Sequence, residues 1–93
     1  MAENLNENTI FIGKKPSLAY VLAAVTQFNS GRKEIKIKAR GRAIYKAVDV
    51  AEIVRGKFIN DAKVKDIKIA TEQVQNESRG KINVSTIEIA LTK

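Results

Sequence analysis

Nine of the 17 lysines and arginines in this chain of 93 residues fall between Gly13 and Lys46. One acid, Glu34, stands among them, so that segment carries a balance of +8 and the rest of the chain −1. Uniform basicity would serve solubility. Basicity gathered into about a third of the chain suits a polyanion, whose phosphates such side chains neutralise.

Two clusters stand out by their placement. Gly13-Lys14-Lys15-Pro16 lies where a short apolar run hands over to helical spacing. A helix N-terminus offers free N–H groups and the positive end of a dipole, so two lysines there reinforce an anion site. Arg40-Gly41-Arg42 lies at the next handover of the same kind. Gly41 permits close backbone approach, and each flanking guanidinium can grip a phosphate with two hydrogen bonds. Lys36 and Lys38 are less diagnostic, because lysine on a strand face also discourages edge pairing. Arg79 and Lys81 sit near the turn between two extended runs, and a basic ribbon tip can enter a groove of duplex DNA.

Other chemistries find little support. The chain has no cysteine and no histidine, which removes disulfides, thiolate ligands and the commonest general base. Asp49 and Glu52 are neighbours on a helix and read as surface partners of Lys46 and Arg55 rather than as a catalytic pair. "GKKPS" lacks the second glycine and the ending of a phosphate-binding P-loop. No enzyme, metal or cofactor is expected. The polar, acidic start "MAENLNENT" is unlike a signal peptide, and no apolar run reaches a membrane span. A cytoplasmic location is expected.

Phe11, Phe28 and Phe58 fall at apolar positions of strands or helices and read as core or interface. Tyr45, three residues after Arg42, is the aromatic placed to touch a ligand. Phosphate contact to a duplex is therefore expected over stacking of single-stranded bases.

The elements that position these residues follow from local pattern. Residues 1–8 are polar without a period and read as a disordered tail before a single domain, 9–93. "TIFIG" reads as a strand, and Leu18, Val21, Leu22, Val25 and Phe28 recur at helical spacing up to Gly31. In "EIKIKAR", Ile35, Ile37 and Ala39 share one strand face and Lys36, Lys38 and Arg40 the other. A second helix is predicted from Ala43 to about Phe58. Its main stripe is Ile44, Ala47, Val48, Ala51, Val54 and Phe58. Val50 and Ile53 lie outside that stripe, which points to a subunit interface.

Residues 64–76 and 81–92 read as two long strands around "NESRG", too long to stay on a small domain, so their polar tip should project as an arm. The apolar phase changes at Ser85-Thr86, which predicts a bulge or a strong twist there. The order is βαβαββ. The expected fold is α+β, with two helices on one face of a four-stranded mixed sheet and a protruding hairpin.

"GKKPSLAYVLAAV", "IKIKARGRAIYKAVDVAEIVRGKF" and "NVSTIEIALTK" together resemble the Alba family of archaeal chromatin proteins, over about Ile10 to Lys93. The resemblance implies a fold similar to the C-terminal domain of translation initiation factor 3. It also implies a homodimer that coats and compacts double-stranded chromosomal DNA with little sequence preference, and RNA as the alternative partner. Lys14 and Lys15 match the family's paired DNA-binding lysines, and Lys14 the one described as reversibly acetylated. Lys38, Arg40 and Arg42 match its basic corner. Phe58 matches an apolar residue of dimer–dimer contact along DNA, and the hairpin matches the arms that follow the minor groove. Glu72 and Glu77 make this arm less basic than such a role asks.

Three readings of different kinds emerge: a sequence-tolerant duplex-DNA binder, a protein of structured RNA or a ribonucleoprotein, and a protein-interaction module whose charge is incidental. The concentrated +8 segment favours the first two.

Overall fold

The structure is a computed structural model that describes residues 8–93. The tail expected at the N-terminus lies outside the described residues except for Asn8. The Asn8 carbonyl accepts a hydrogen bond from the Lys36 N–H at 2.7 Å, so Asn8 already belongs to the edge of the sheet.

The element order is β1 (Thr9–Phe11), α1 (Ser17–Asn29), β2 (Glu34–Arg40), a 3-10 turn (Gly41–Ala43), α2 (Ile44–Ile53), a π-helical turn (Val54–Phe58), β3 (Lys63–Asn76) and β4 (Gly80–Thr92). The four strands form one sheet in the order β1-β2-β4-β3. β1 runs parallel to β2, and the β2–β4 and β3–β4 pairs are antiparallel. The parallel pair is made by the crossover through α1, and the hairpin supplies the outer strand. Among the described residues no helix is long and apolar enough to cross a membrane.

Strand alternation decides which side of the sheet the helices cover. Ile10, Ile12, Ile35, Ile37, Ala39, Ile89 and Leu91 all point one way and are buried. Val21, Ala24 and Phe28 of α1 and Ala47, Val50, Ala51 and Val54 of α2 complete that core. Each large side chain so buried contributes roughly 1.5–3 kcal/mol. Among the described residues no helix covers the opposite face, which holds Phe11, Lys36, Lys38, Arg40 and Glu88.

Helix α1 ends as its sequence predicts. Gly31 takes φ 106°, its N–H bonds the Phe28 carbonyl at 3.1 Å, and the Arg32 N–H bonds the Gln27 carbonyl at 3.2 Å. This pair of bonds is a Schellman cap, and a left-handed residue is what it requires.

Helix α2 departs from its expected phase. The buried stripe is Ala47, Val50, Ala51 and Val54, while Val48 is exposed. Val50 is wholly buried within the single chain, so it cannot serve the subunit interface expected of it. Ile53 is half-buried against the core. With apolar residues on nearly every side, the helix could rotate by one position without losing an apolar stripe. The packed sheet sets the rotation. Beyond Ile53 the helix widens, and the Ile59 N–H reaches the Val54 carbonyl at 2.7 Å, five residues back. The wider turn takes Val54 and Ile59 inside and leaves Phe58 45% exposed, off the stripe that α-helical spacing predicts.

Of the bulge or strong twist expected at Ser85-Thr86, the bulge lies elsewhere. β4 pairs with β3 through Ser85 and Thr86 with no register shift. The irregularity lies between Val64 and Asp66, where Lys65 is the extra residue. It turns Val64 to the same side as Ile67 and Ile69. Ile82 and Val84 lie on the face opposite Ile87 and Ile89 because the hairpin is leaving the helices there. The molecule measures 43 × 29 × 23 Å, as a projecting hairpin requires of so short a chain.

Candidate nucleic-acid interface

The loop with Lys14 and Lys15 is tied down by two side chains that the sequence does not single out. The Tyr20 hydroxyl accepts hydrogen bonds from the Gly13 N–H at 2.9 Å and the Lys15 N–H at 3.0 Å. The Lys46 ammonium donates to the Gly13 carbonyl at 3.3 Å and the Lys15 carbonyl at 2.8 Å. A Cβ on residue 13 would stand 3.3 Å from the Tyr20 oxygen, so a side chain there would press on this hydroxyl by a few tenths of an ångström. Lys46 thus leaves the acid pairing expected of it. Glu52 does pair with Arg55, at 2.7 Å.

Because Lys46 belongs to the first turn of α2, these bonds bring the start of α2 against the start of α1. Arg42 lies one turn before Lys46, in the 3-10 turn. Two handovers far apart in sequence therefore form one edge, with Lys14, Lys15 and Arg42 exposed along it. Helix α1 has no side chain hydrogen-bonded to its N-terminus. Its opening turn follows Lys14 and Lys15 directly in the chain, and the Ala19 N–H there is taken by the Pro16 carbonyl at 3.0 Å. Gly41, at φ 59°, makes the turn from β2 into this edge, and a Cβ there would rest 3.6 Å from Val84 of the hairpin. The edge is thereby joined to the base of the arm. Arg79 and Lys81 are exposed at its far end. There the Asn76 side-chain oxygen accepts from the Ser78 and Arg79 N–H groups at 2.8 and 3.0 Å, and Gly80 has φ 73°.

The remaining cations are differently situated. Lys38 is 3.4 Å from Glu88, which also stands 3.9 Å from Lys36. Arg40 is 3.4 Å from Glu72 of β3. Among the described residues no acid stands within ion-pair distance of Lys14, Lys15, Arg42, Arg79 or Lys81. Lys14, Lys15 and Arg42 thus form an unpaired edge, while Lys36, Lys38 and Arg40 of β2 are paired with acids on the sheet face. The sequence could not separate them, because Glu72 and Glu88 reach β2 only through the strand order.

The profile of the family described as Alba matches residues 8–71. The DNA/RNA-binding protein Alba 1 of Archaeoglobus fulgidus is 63% identical over 87 residues, which cover 94% of this chain and 97% of the relative. The chain belongs to the Alba family. A second relative, the DNA/RNA-binding protein Alba of Thermoplasma acidophilum, is 62% identical over 94% of this chain and 97% of its own length. The solved structure of Alba from Thermoplasma volcanium superposes with a TM-score of 0.90 at 60% identity, covering 92% of this chain and all of that one. The α+β fold with its four-stranded mixed sheet is thus the Alba fold.

Exposed apolar side chains lie on the helix side of β3, which no helix among the described residues reaches. Ile67, Ile69 and Val64 are exposed there, and Tyr45, Val48 and Phe58 are exposed along α2 and the turn after it. Ile44 and Ile69 line one shallow groove, so the strip on β3 continues onto α2.

Proposed function

We propose that this protein is a sequence-tolerant duplex-DNA-binding protein that coats and compacts chromosomal DNA as a homodimer, in the cytoplasm and on the chromosome, with no catalytic role. The observation that carries the reading is the unpaired edge formed by Lys14, Lys15 and Arg42, clamped by Tyr20 and Lys46 and continued by the arm. Such an edge engages phosphates and ignores base sequence. Arg79 and Lys81 add groove contacts at the arm tip. The paired cations Lys38 and Arg40 contribute only when a phosphate displaces Glu88 or Glu72. Acetylation of Lys14 would remove one charge from the edge and weaken binding.

The exposed strip on β3 and α2 supports the dimer. Apolar side chains left uncovered side by side are stabilised by a second copy. Ile53 and Phe58 are the residues of that interface and of dimer–dimer association along DNA. The names of the Archaeoglobus and Thermoplasma relatives carry both DNA and RNA binding, and RNA is the second reading.

Fluorescence-anisotropy titration of matched duplex DNA and duplex RNA over a salt series tests the choice. If ~6 phosphates are neutralised, log K against log salt falls with a slope of about −5 on DNA. Equal affinity across DNA sequences, a loss with Lys14→Ala or Arg42→Ala, and weaker RNA binding are expected. Tighter RNA binding would promote the second reading. A flat slope would return the basic edge to another purpose.

A further inference from the structure

The sheet face away from the helices carries a groove of about 600 Å³ that the phosphate edge does not use. Phe11 and Lys38 wall one side, Lys68 and Glu72 the other, and the small side chains of Ala70 and Thr86 form the floor. Phe11 is the unexpected member. Ile10 and Ile12 on either side of it point into the core, so strand alternation turns Phe11 the opposite way and leaves it 58% exposed. No packing against the helices requires an aromatic ring at that position. The Lys38 ammonium stands 5.9 Å from the ring centroid, within reach of its negative face.

An exposed ring beside a cation is the pairing that holds a planar base attached to a phosphate. Across the groove, Glu72 and Glu88 accept hydrogen bonds and donate none when ionised, which matches the exocyclic amino groups of adenine, cytosine and guanine. Within a duplex, base faces are stacked on one another, so only an unstacked base can lie on the Phe11 ring. The charges also argue against a phosphate-dominated site. Lys36, Lys38 and Arg40 each face an acid, and of the groove's lining cations Lys68 alone has no acid within ion-pair distance among the described residues, so few counterions are there to be released.

We propose that the open sheet face binds single-stranded nucleic acid, with an unpaired, amino-bearing base stacked on Phe11 and its neighbouring phosphate at Lys38. This site shares Lys38 and Arg40 with the duplex reading but adds Phe11, which the duplex reading does not use, so the Phe11 variants let either reading fail while the other stands. RNA and DNA share this chemistry, and the site itself selects the base.

The test uses the full chain and short fluorescent adenine oligomers as single-stranded RNA and as single-stranded DNA, with uracil oligomers and duplex DNA alongside. Adenine oligomers are expected to bind more tightly than uracil ones, with a salt slope shallower than that of the duplex. Phe11→Leu keeps an apolar side chain on the strand but removes the ring. It should weaken adenine-oligomer binding about tenfold while duplex affinity stays within about twofold. Phe11→Tyr should restore the loss. Equal affinity for the two adenine oligomers supports the base alone as ligand, and tighter RNA binding supports an added 2′-hydroxyl contact. Unchanged oligomer binding by Phe11→Leu overturns the proposal, as does an equal loss of oligomer and duplex binding.

Discussion

The Lys46 ammonium lies 2.8 Å from the Lys15 carbonyl oxygen, so the first turn of α2 holds the lysine loop at the start of α1. A lysine from the most basic part of the chain is spent on backbone carbonyls. The gain is a loop whose two other lysines are presented at one edge without having to be ordered on binding.

Tyr20→Phe tests that gain cleanly, because it removes no charge. The Gly13 and Lys15 N–H groups lose their acceptor and the loop loosens. Duplex affinity should fall about three- to tenfold with the salt slope unchanged, since the number of phosphates neutralised is the same. Lys46→Met should lower affinity more. Anisotropy titrations over a salt series read both effects, and a reduced slope in Tyr20→Phe would show that the hydroxyl is not acting through the loop.

Glu72→Gln should release Arg40. Duplex DNA binding is expected to tighten, and the salt slope to become more negative by up to about 0.9 if the freed guanidinium takes a phosphate. The double variant Arg40→Gln, Glu72→Gln should lose the steepening. A slope that stays put in Glu72→Gln would mean that the arm acid merely repels DNA at a distance.

Phe28 and Phe58 should behave oppositely. Phe28 is buried under the sheet, and Phe28→Ala should cost about 3–5 kcal/mol in urea unfolding. Val50→Ala should cost about 2–3 kcal/mol, as a core residue does. Phe58→Ala should change chain stability by under about 1 kcal/mol. Its effect is expected in sedimentation velocity, as weaker association of copies on or off DNA.

The Glu34–Lys65 pair predicts a small acid-sensitive contribution. The Lys65 ammonium, 2.8 Å away, holds the Glu34 carboxyl below its ordinary range through a hydrogen bond and then through charge. A depressed carboxyl stabilises the fold fully above its unfolded value, about 4.3, and loses that contribution as pH falls through the lower folded value. Lys65, raised by the same hydrogen bond, loses its contribution only as pH climbs past about 10.4. Lys65 is exposed and Glu34 half-buried at the surface, so solvent screens the pair and the effect should be slight. Melting curves of the native chain and Glu34→Gln should run parallel from pH 5 to 9 and converge in more acidic buffer.

The alternation in "EIKIKAR" decided locally that Ile35 and Ile37 face the core while Lys36 and Lys38 face away. Pattern was enough there because a strand has one buried side and a period of two. Gly31 and Gly41 were equally legible, since helix caps and left-handed turns select their residue within a few positions. Of the two places expected for Phe11, core or interface, its exposure excludes the core, which the apolar neighbours in "TIFIG" had suggested.

The sequence by itself therefore determined the order of elements, the faces of β2 and the concentration of charge before and around the second helix. These depend on periodicity and composition over a few residues. The tertiary structure decided the rotation of α2, the place of the bulge, the clamp on the lysine loop and the division of the cations. Each of these joins residues distant along the chain. Lys38 is quenched by Glu88 because β4 lies beside β2 with those two residues opposite each other. Lys14 and Arg42 share an edge because Lys46 reaches back to the start of α1. Such pairings follow from strand order and helix packing, which no local period encodes.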